Sequence, residues 1–260
     1  MASPIDPSED GPLFWWGSPN ATNFGDYLSK VVVERLAHVR LPDAPASLSS
    51  NRRLLLAVGS IIHFARDGDV VWGSGFRESP LQEDRRYRTL DVRAVRGPIS
   101  RDYLLQMGIA CPEVYGDPAL LLPRLCPDLP PVEQQDECIV IPNCGEMDYF
   151  RHYRHVVMPK EPWTEIVAAI RRSRLVISSS LHGLIVAEAF GVPARLLKMT
   201  WIEPMLKYED CYRATGRDRF AWATSVGEAV EMGGARAPVI DLQPLIDSFP
   251  GLPGVPAEHA

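Results

Sequence analysis

Short β-rich apolar runs alternate with stretches of helical period along most of the chain, a pattern that predicts βαβ units with parallel sheets rather than a sandwich. Two sets can be read. The first has expected strands at residues 13–16, 54–58, 70–72, 89–95 and 113–115, with helices over 26–39 and 99–107. Gly25 opens the first of these helices, Gly97-Pro98 opens the second, and Gly108 ends it. The second set has strands at 138–141, 155–158, 175–178 and 194–199, and helices over 163–172, 184–190 and 204–214. Residues 122–137, rich in proline and acid, read as the linker between them. The expected units are therefore 12–125 and 135–249, two Rossmann-like α/β domains, with polar ends at 1–11 and 250–260 expected to be loosely attached. Two open α/β units place ligands in the crevice outside the carboxyl ends of their strands. Chemistry is expected where a strand turns into a helix.

Composition narrows the function classes. The 260 residues are 46% hydrophobic and 23% charged, an ordinary globular balance. A net charge of −6 and a pI near 5.6 give no reason to expect nucleic-acid binding. The longest apolar stretch, 54–62, falls well short of the roughly 20 residues a membrane span needs. The start of the chain carries Glu9 and Asp10 and lacks a basic segment followed by an apolar one, so a cytoplasmic location is expected. Five cysteines without a C-x-x-C pair fit reduced, structural thiols. No close set of His, Asp and Glu suggests a tightly bound metal, and none is expected.

The sharpest local feature is Ser178-Ser179-Ser180-Leu181-His182-Gly183, between an apolar strand and an almost wholly apolar helix. Such a helix start presents free N–H groups and the positive end of its dipole, here beside three hydroxyls and an imidazole: an anion site with a proton donor. The bland alternative is a serine cap and a core histidine. Glu188 follows six positions later and is either a catalytic carboxylate or the partner of an arginine. Arg96, just ahead of the Gly97-Pro98 helix start, offers a bidentate contact to phosphate or carboxylate, or else a salt bridge between the units. Asn23-Phe24-Gly25-Asp26 turns from the first strand into a helix, and Asp26 is either a helix-start charge or a base for an acceptor hydroxyl. Gly59-Ser60 and Gly73-Ser74-Gly75 end further strands on the same edge, without forming a dinucleotide or P-loop motif. Asp117, in Gly116-Asp117-Pro118, reads as a turn former. Lys198, Trp201, Lys207, Tyr208, Tyr212 and Arg213 form either a saccharide-facing wall or ordinary core packing.

Jointly these motifs resemble the polysaccharide pyruvyltransferases, and within them the ketal-forming enzymes of xanthan-type exopolysaccharides. The resemblance is carried by Asn23 to Leu28, Gly59 to His63, Val70 to Gly75, Arg93 to Leu104, Tyr115 to Pro118 and Ser179 to Pro193. It implies a glycosyltransferase-B-like architecture with the acceptor on the first domain and the donor on the second. It also implies phosphoenolpyruvate as co-substrate with no tightly bound cofactor. Leu181-His182 and an arginine would then contact the donor, with Arg96 the candidate. His182 would be the acid, Asp26 the first and Glu188 the second choice of base. Asn23, Gly25, Ser60, Ser74, Ser178, Ser179, Ser180, Gly183, Lys207 and Tyr208 would line the substrates. The chain departs from some relatives in having Ser180 where they place an arginine. Its cation must come from elsewhere, or hydroxyls and backbone hold the anion. The acceptor implied is the terminal mannose of a lipid-linked oligosaccharide, which would bring the protein to the inner face of the cytoplasmic membrane. The rival readings are a nucleotide-sugar glycosyltransferase of the same architecture and a non-catalytic saccharide-binding protein.

Overall fold

In the computed structural model, which describes residues 11–17, 23–80, 86–135, 138–237 and 239–254, the apolar runs pair into two parallel four-stranded sheets. The first contains β1 (Leu13–Phe14), β2 (Leu55–Leu56), β3 (Val70–Trp72) and β4 (Asp91–Ala94), in that order across the sheet. The second contains β5 (Ile139–Ile141), β6 (Val176–Ser178), β7 (Ala194–Leu197) and β8 (Trp222–Ala223), again in chain order. The protein is thus an α/β protein of two Rossmann-like units, as the alternation of periods predicts.

Two expected strands shrink to single parallel bridges, Val95 with Tyr115 and Val140 with Val156. Pro112 and Gly116, whose φ is +140°, bracket the first, and the left-handed backbone of His155, φ +57°, interrupts the second. The expected linker also begins inside the fold. Leu122, which opens the short α3 (Leu122–Leu125), and Cys126, which follows it, are buried.

The helices fall close to expectation. They are α1 (Phe24–Ala37), α2 (Pro98–Gln106), α4 (Trp163–Arg172), α5 (Leu181–Ala189) and α6 (Leu206–Ala214). Besides α3, helices α7 (Val226–Met232) and α8 (Gln243–Asp247) were not expected, nor was β8. The last helix leaves the second unit. Trp72 on β3 donates its indole N–H to Leu245 O at 2.9 Å, and Phe249 packs edge-on against the same ring. The expected unit 135–249 therefore hands its final helix back to the first sheet.

One hydrophobic core runs through both units, with Leu55, Val70 and Trp72 from one sheet and Ile139, Val176 and Leu196 from the other. α5 is buried along nearly its whole length and lies in that shared core, which is why its sequence carries no polar face. Residues at the carboxyl ends of strands from both sheets meet at one crevice.

Candidate functional site

The crevice holds a cavity of about 390 Å³, lined from the first unit by Asn23, Asp26 and Ser60 and from the second by Ser180, His182 and Lys207, among others. On the second unit, β6 feeds directly into α5, which starts at Leu181, one turn earlier than the pattern predicts. His182 therefore sits in the first helical turn. Ser180 is the N-cap residue but its hydroxyl caps nothing, so among the described residues no side-chain cap answers the first-turn N–H groups of α5. The other two serines are braces rather than ligands. Ser178 Oγ lies 2.8 Å from Ile141 O and accepts from Ser180 N–H at 3.0 Å. Ser179 Oγ accepts from Asn143 N–H at 2.9 Å. Gly183 packs against this brace so closely that a Cβ there would come within 2.3 Å of Ser178 Oγ.

On the first unit, Asn23 caps α1 by accepting from Gly25 N–H and donates through Nδ2 to Asp26 Oδ2 at 3.0 Å. Phe24 N–H donates across the crevice to Pro159 O at 2.9 Å, which fixes the α1 start against the second unit. Gly25 then meets His182 face to face. A Cβ on it would fall 2.1 Å from the Nδ1 atom of the imidazole, so only glycine admits the ring.

The other ring nitrogen is equally constrained. His182 Nε2 is buried without a hydrogen bond and lies 3.6 Å from Asp117 Oδ2, which is also buried and unpartnered. Asp117 forms the turn expected of it, since its Oδ1 accepts from Ala119 N–H at 2.9 Å, but its second oxygen faces the imidazole. Two orphaned polar atoms facing each other are poised for a carboxylate–imidazole hydrogen bond, which would hold the proton on Nε2 and leave Nδ1 for exchange beside α1. Asp26, 9% exposed, completes the group. Burial pushes its carboxyl up to about 6, against the opposing pull of His182 and Lys207.

The cations of the crevice are Lys207 and Arg77. Lys207 Nζ pairs with Glu203 at 2.6 Å, and the same carboxylate lies 3.3 Å from Arg77 Nε. Burial lowers the Lys207 ammonium, while Lys207 and Arg77 together outweigh burial and hold the Glu203 carboxyl below its ordinary range.

Arg96 is not among these cations. It is 0% exposed, with Nε donating to Asp210 at 3.1 Å, one terminal nitrogen to Ser60 Oγ at 2.6 Å and the other to Phe76 O at 2.6 Å. Asp210, from α6, also takes Ser100 N–H and its hydroxyl, so the α2 start is capped as well. The guanidinium ties the two units together and steadies Ser60 at the cavity wall, and it does not itself line the cavity. Glu188 is likewise engaged. Both its oxygens accept from Arg217 at 2.7 Å, and it lines a different groove, away from His182. Tyr208 is fully buried and donates to Ser179 O at 2.6 Å, so it braces the α5 turn from behind. Ser74 is buried too, donating to Gly59 O at 2.9 Å to hold that turn. Of the aromatic wall, Tyr212 is buried and Trp201 is exposed, and neither lines the cavity.

The sequence profile of the polysaccharide pyruvyl transferase family matches residues 23–198, from the cap of α1 to the end of β7. The chain belongs to this family. A similar curated protein is the succinoglycan biosynthesis protein ExoV of Rhizobium meliloti (strain 1021), 24% identical over 219 residues. That alignment covers 78% of this chain and 64% of the relative, so the chain spans less than two thirds of that protein's length. A solved structure of an uncharacterized protein from Klebsiella pneumoniae subsp. pneumoniae NTUH-K2044 is similar over 83% of this chain and 94% of its own, at 14% identity and a TM-score of 0.49.

In this member of the polysaccharide pyruvyl transferase family, Asn23, Gly25, Asp26, Ser60, Ser180, Leu181 and His182 gather at the crevice. Sequence reasoning missed Arg77, Glu203 and the Asn143-Cys144-Gly145 turn. The first two lie in no recognisable motif. The third, an Asn-x-Gly directly after an apolar strand, was a usable signal. Among the described residues no helix is long and apolar enough to cross a membrane.

Proposed function

We propose that the protein transfers pyruvate from phosphoenolpyruvate to two hydroxyls of a sugar, forming a cyclic ketal and releasing phosphate. The observation that carries this reading is the clamping of His182 between Asp117 and the α1 start, beside a carboxyl near pKa 6 and at an uncapped helix start. The donor's phosphate and carboxylate need positive partners at two points, and the α5 start with Lys207 and Arg77 supplies them. The imidazolium form of His182, held through Nε2 by Asp117, gives its Nδ1 proton to the methylene carbon, which becomes a methyl group as the central carbon turns electrophilic. One sugar hydroxyl adds there and its proton passes to Asp26. Phosphate then leaves with the electrons of its C–O bond and takes up the proton held by Asp26, and the second hydroxyl closes the ring and returns its proton to His182. Overall, donor and diol become ketal and inorganic phosphate.

The family name and the relative's part in succinoglycan biosynthesis support a saccharide acceptor from exopolysaccharide assembly. A lipid-linked repeat unit with terminal mannose is the proposed form. It would bring the protein to the inner face of the cytoplasmic membrane.

The test incubates the protein with a mannose-terminated oligosaccharide and either phosphoenolpyruvate or a nucleotide sugar. Phosphate release with a pyruvyl ketal in the product mass is expected from the first donor. His182→Ala should cost about 100-fold in rate while staying folded. Consumption of the nucleotide sugar instead, or full turnover by that variant, would overturn the assignment.

A further inference from the structure

The crevice also carries aromatic side chains that the chemistry above leaves unused. Side chains alternate along the first strand and its extension. Leu13 and Trp15 turn into the core shared by both units, whereas Phe14 points the opposite way into the outer core of the first unit. Trp16 follows Phe14 at the same period, and both meet Phe64, in the 3-10 turn Ile62–Phe64. Phe14 packs at 5.5 Å and 59° to the Phe64 ring. Trp16 lies flat on that ring, with centroids 4.8 Å apart and planes only 9° from parallel. His63 packs on it from another side at 4.0 Å. Phe64 is thereby anchored to the core and holds Trp16 in one orientation.

Trp15 is 2% exposed and Trp16 is 56% exposed. One large flat face of the indole is thus left to water at a cavity that also contains Asp26 and His182. Asn23 and Ser60, which can hydrogen-bond hydroxyls, line the same space, as does His63, whose proton affinity burial lowers. An apolar plate among a few polar groups is the usual make-up of a site that orients an amphipathic ligand.

We propose that Trp16, seated on Phe64, is the platform on which the pyranose ring of the acceptor stacks. A pyranose has one face of C–H bonds, which suits the negative face of an indole, and a rim of hydroxyls, which suits Asp26, Asn23 and Ser60. Stacking turns the rim toward the carboxyl that takes the hydroxyl protons. The expected wall on the second unit cannot play this part. Tyr208 and Tyr212 are buried, and Trp201 stands outside the cavity with the Lys198 ammonium 5.2 Å over its ring.

This assignment rests on the saccharide acceptor proposed above, so its test separates binding from turnover. Saturation-transfer NMR with methyl β-mannopyranoside and methyl β-glucopyranoside, without phosphoenolpyruvate, should label the C–H protons of one ring face in the wild type. Trp16→Ala should weaken that binding about tenfold, and Trp16→Phe should restore most of it. In turnover, Trp16→Ala should raise the acceptor KM by about the same factor and leave the phosphoenolpyruvate KM unchanged. Undiminished sugar binding by Trp16→Ala overturns the platform, as does failure of both pyranosides to bind the wild type. Trp16-dependent binding without any use of phosphoenolpyruvate keeps the platform and removes pyruvyl transfer.

Discussion

Replacing Asp26 with asparagine should make the protein more stable at neutral pH and less active. In the folded protein the carboxyl is raised from its ordinary 3.8 to about 6, chiefly by burial. At roughly 1.4 kcal/mol for each pH unit, ionising Asp26 in place costs about 3 kcal/mol. The native state binds this proton more tightly than the unfolded chain does. Its contribution is therefore fully present below about pH 4 and is lost as the pH rises through 6. Asparagine resembles the protonated acid, retains an oxygen for the Asn23 amide and never ionises. Urea unfolding of both proteins near pH 4 and near pH 8 should show similar stability at the lower pH. At the higher pH the asparagine variant should be more stable by about 2–3 kcal/mol. The wild-type rate should climb with pH and level off above about 6, and the variant should lack that step. A variant no more stable than wild type near pH 8 would refute the argument that the crevice holds this charge at a cost.

Three further substitutions probe the clamp and the tie. Gly25→Ala places a methyl 2.1 Å from His182 Nδ1 in a backbone conformation that alanine tolerates, so the ring must move. Its rate should fall at least about 100-fold, with a loss of about 1–3 kcal/mol in thermal unfolding. Asp117→Asn keeps the turn through its remaining oxygen but removes the anion facing Nε2. Its kcat should fall by about two orders of magnitude with little change in either KM, and nitrogen-15 NMR of His182 should show the Nε2-protonated tautomer in wild type and its loss in the variant. Arg96→Met leaves the Asp210 carboxylate at 0% exposure without its guanidinium, held by Ser100 alone, so it should destabilise by about 3–5 kcal/mol in urea unfolding, and Asp210→Asn in the same chain should recover part of that. The donor KM of the folded fraction should not change.

What the sequence made legible was local. The alternation of periods located the strands of both sheets except β8, and glycine, proline and capping residues located the starts of α1, α2 and α5 to within a turn. Ser180-Leu181-His182 and Asn23 to Asp26 each read as strand-end turns, and both reach the crevice. That the two touch was not legible, because Gly25 and His182 are far apart in the chain and only packing reveals the missing Cβ. The short α7 and α8 left no periodic signal, and the role of α8 depends on a tryptophan in the other sheet. Asp117 shows how one residue carries two signals. Its turn-forming oxygen is written in Gly-Asp-Pro, and its second oxygen acquires meaning only from a ring on α5.

Arg96 and His182 present the same sequence signature, a chemistry-bearing residue where a strand becomes a helix, yet the structure divides them. The difference lies in what meets each helix start. At α2 the carboxylate of Asp210 accepts from Ser100 N–H and from the guanidinium, so an anion already occupies the place a donor would take. At α5, among the described residues, no side chain caps the first turn, and the start borders the cavity. An anion site is therefore a helix start that the rest of the chain leaves unanswered, a condition that sequence spacing cannot express. The same principle accounts for Ser180 in place of an arginine. In the proposed site Lys207, from the same unit as α5, and Arg77, from the other, supply the positive charge, and Glu203 pairs with both.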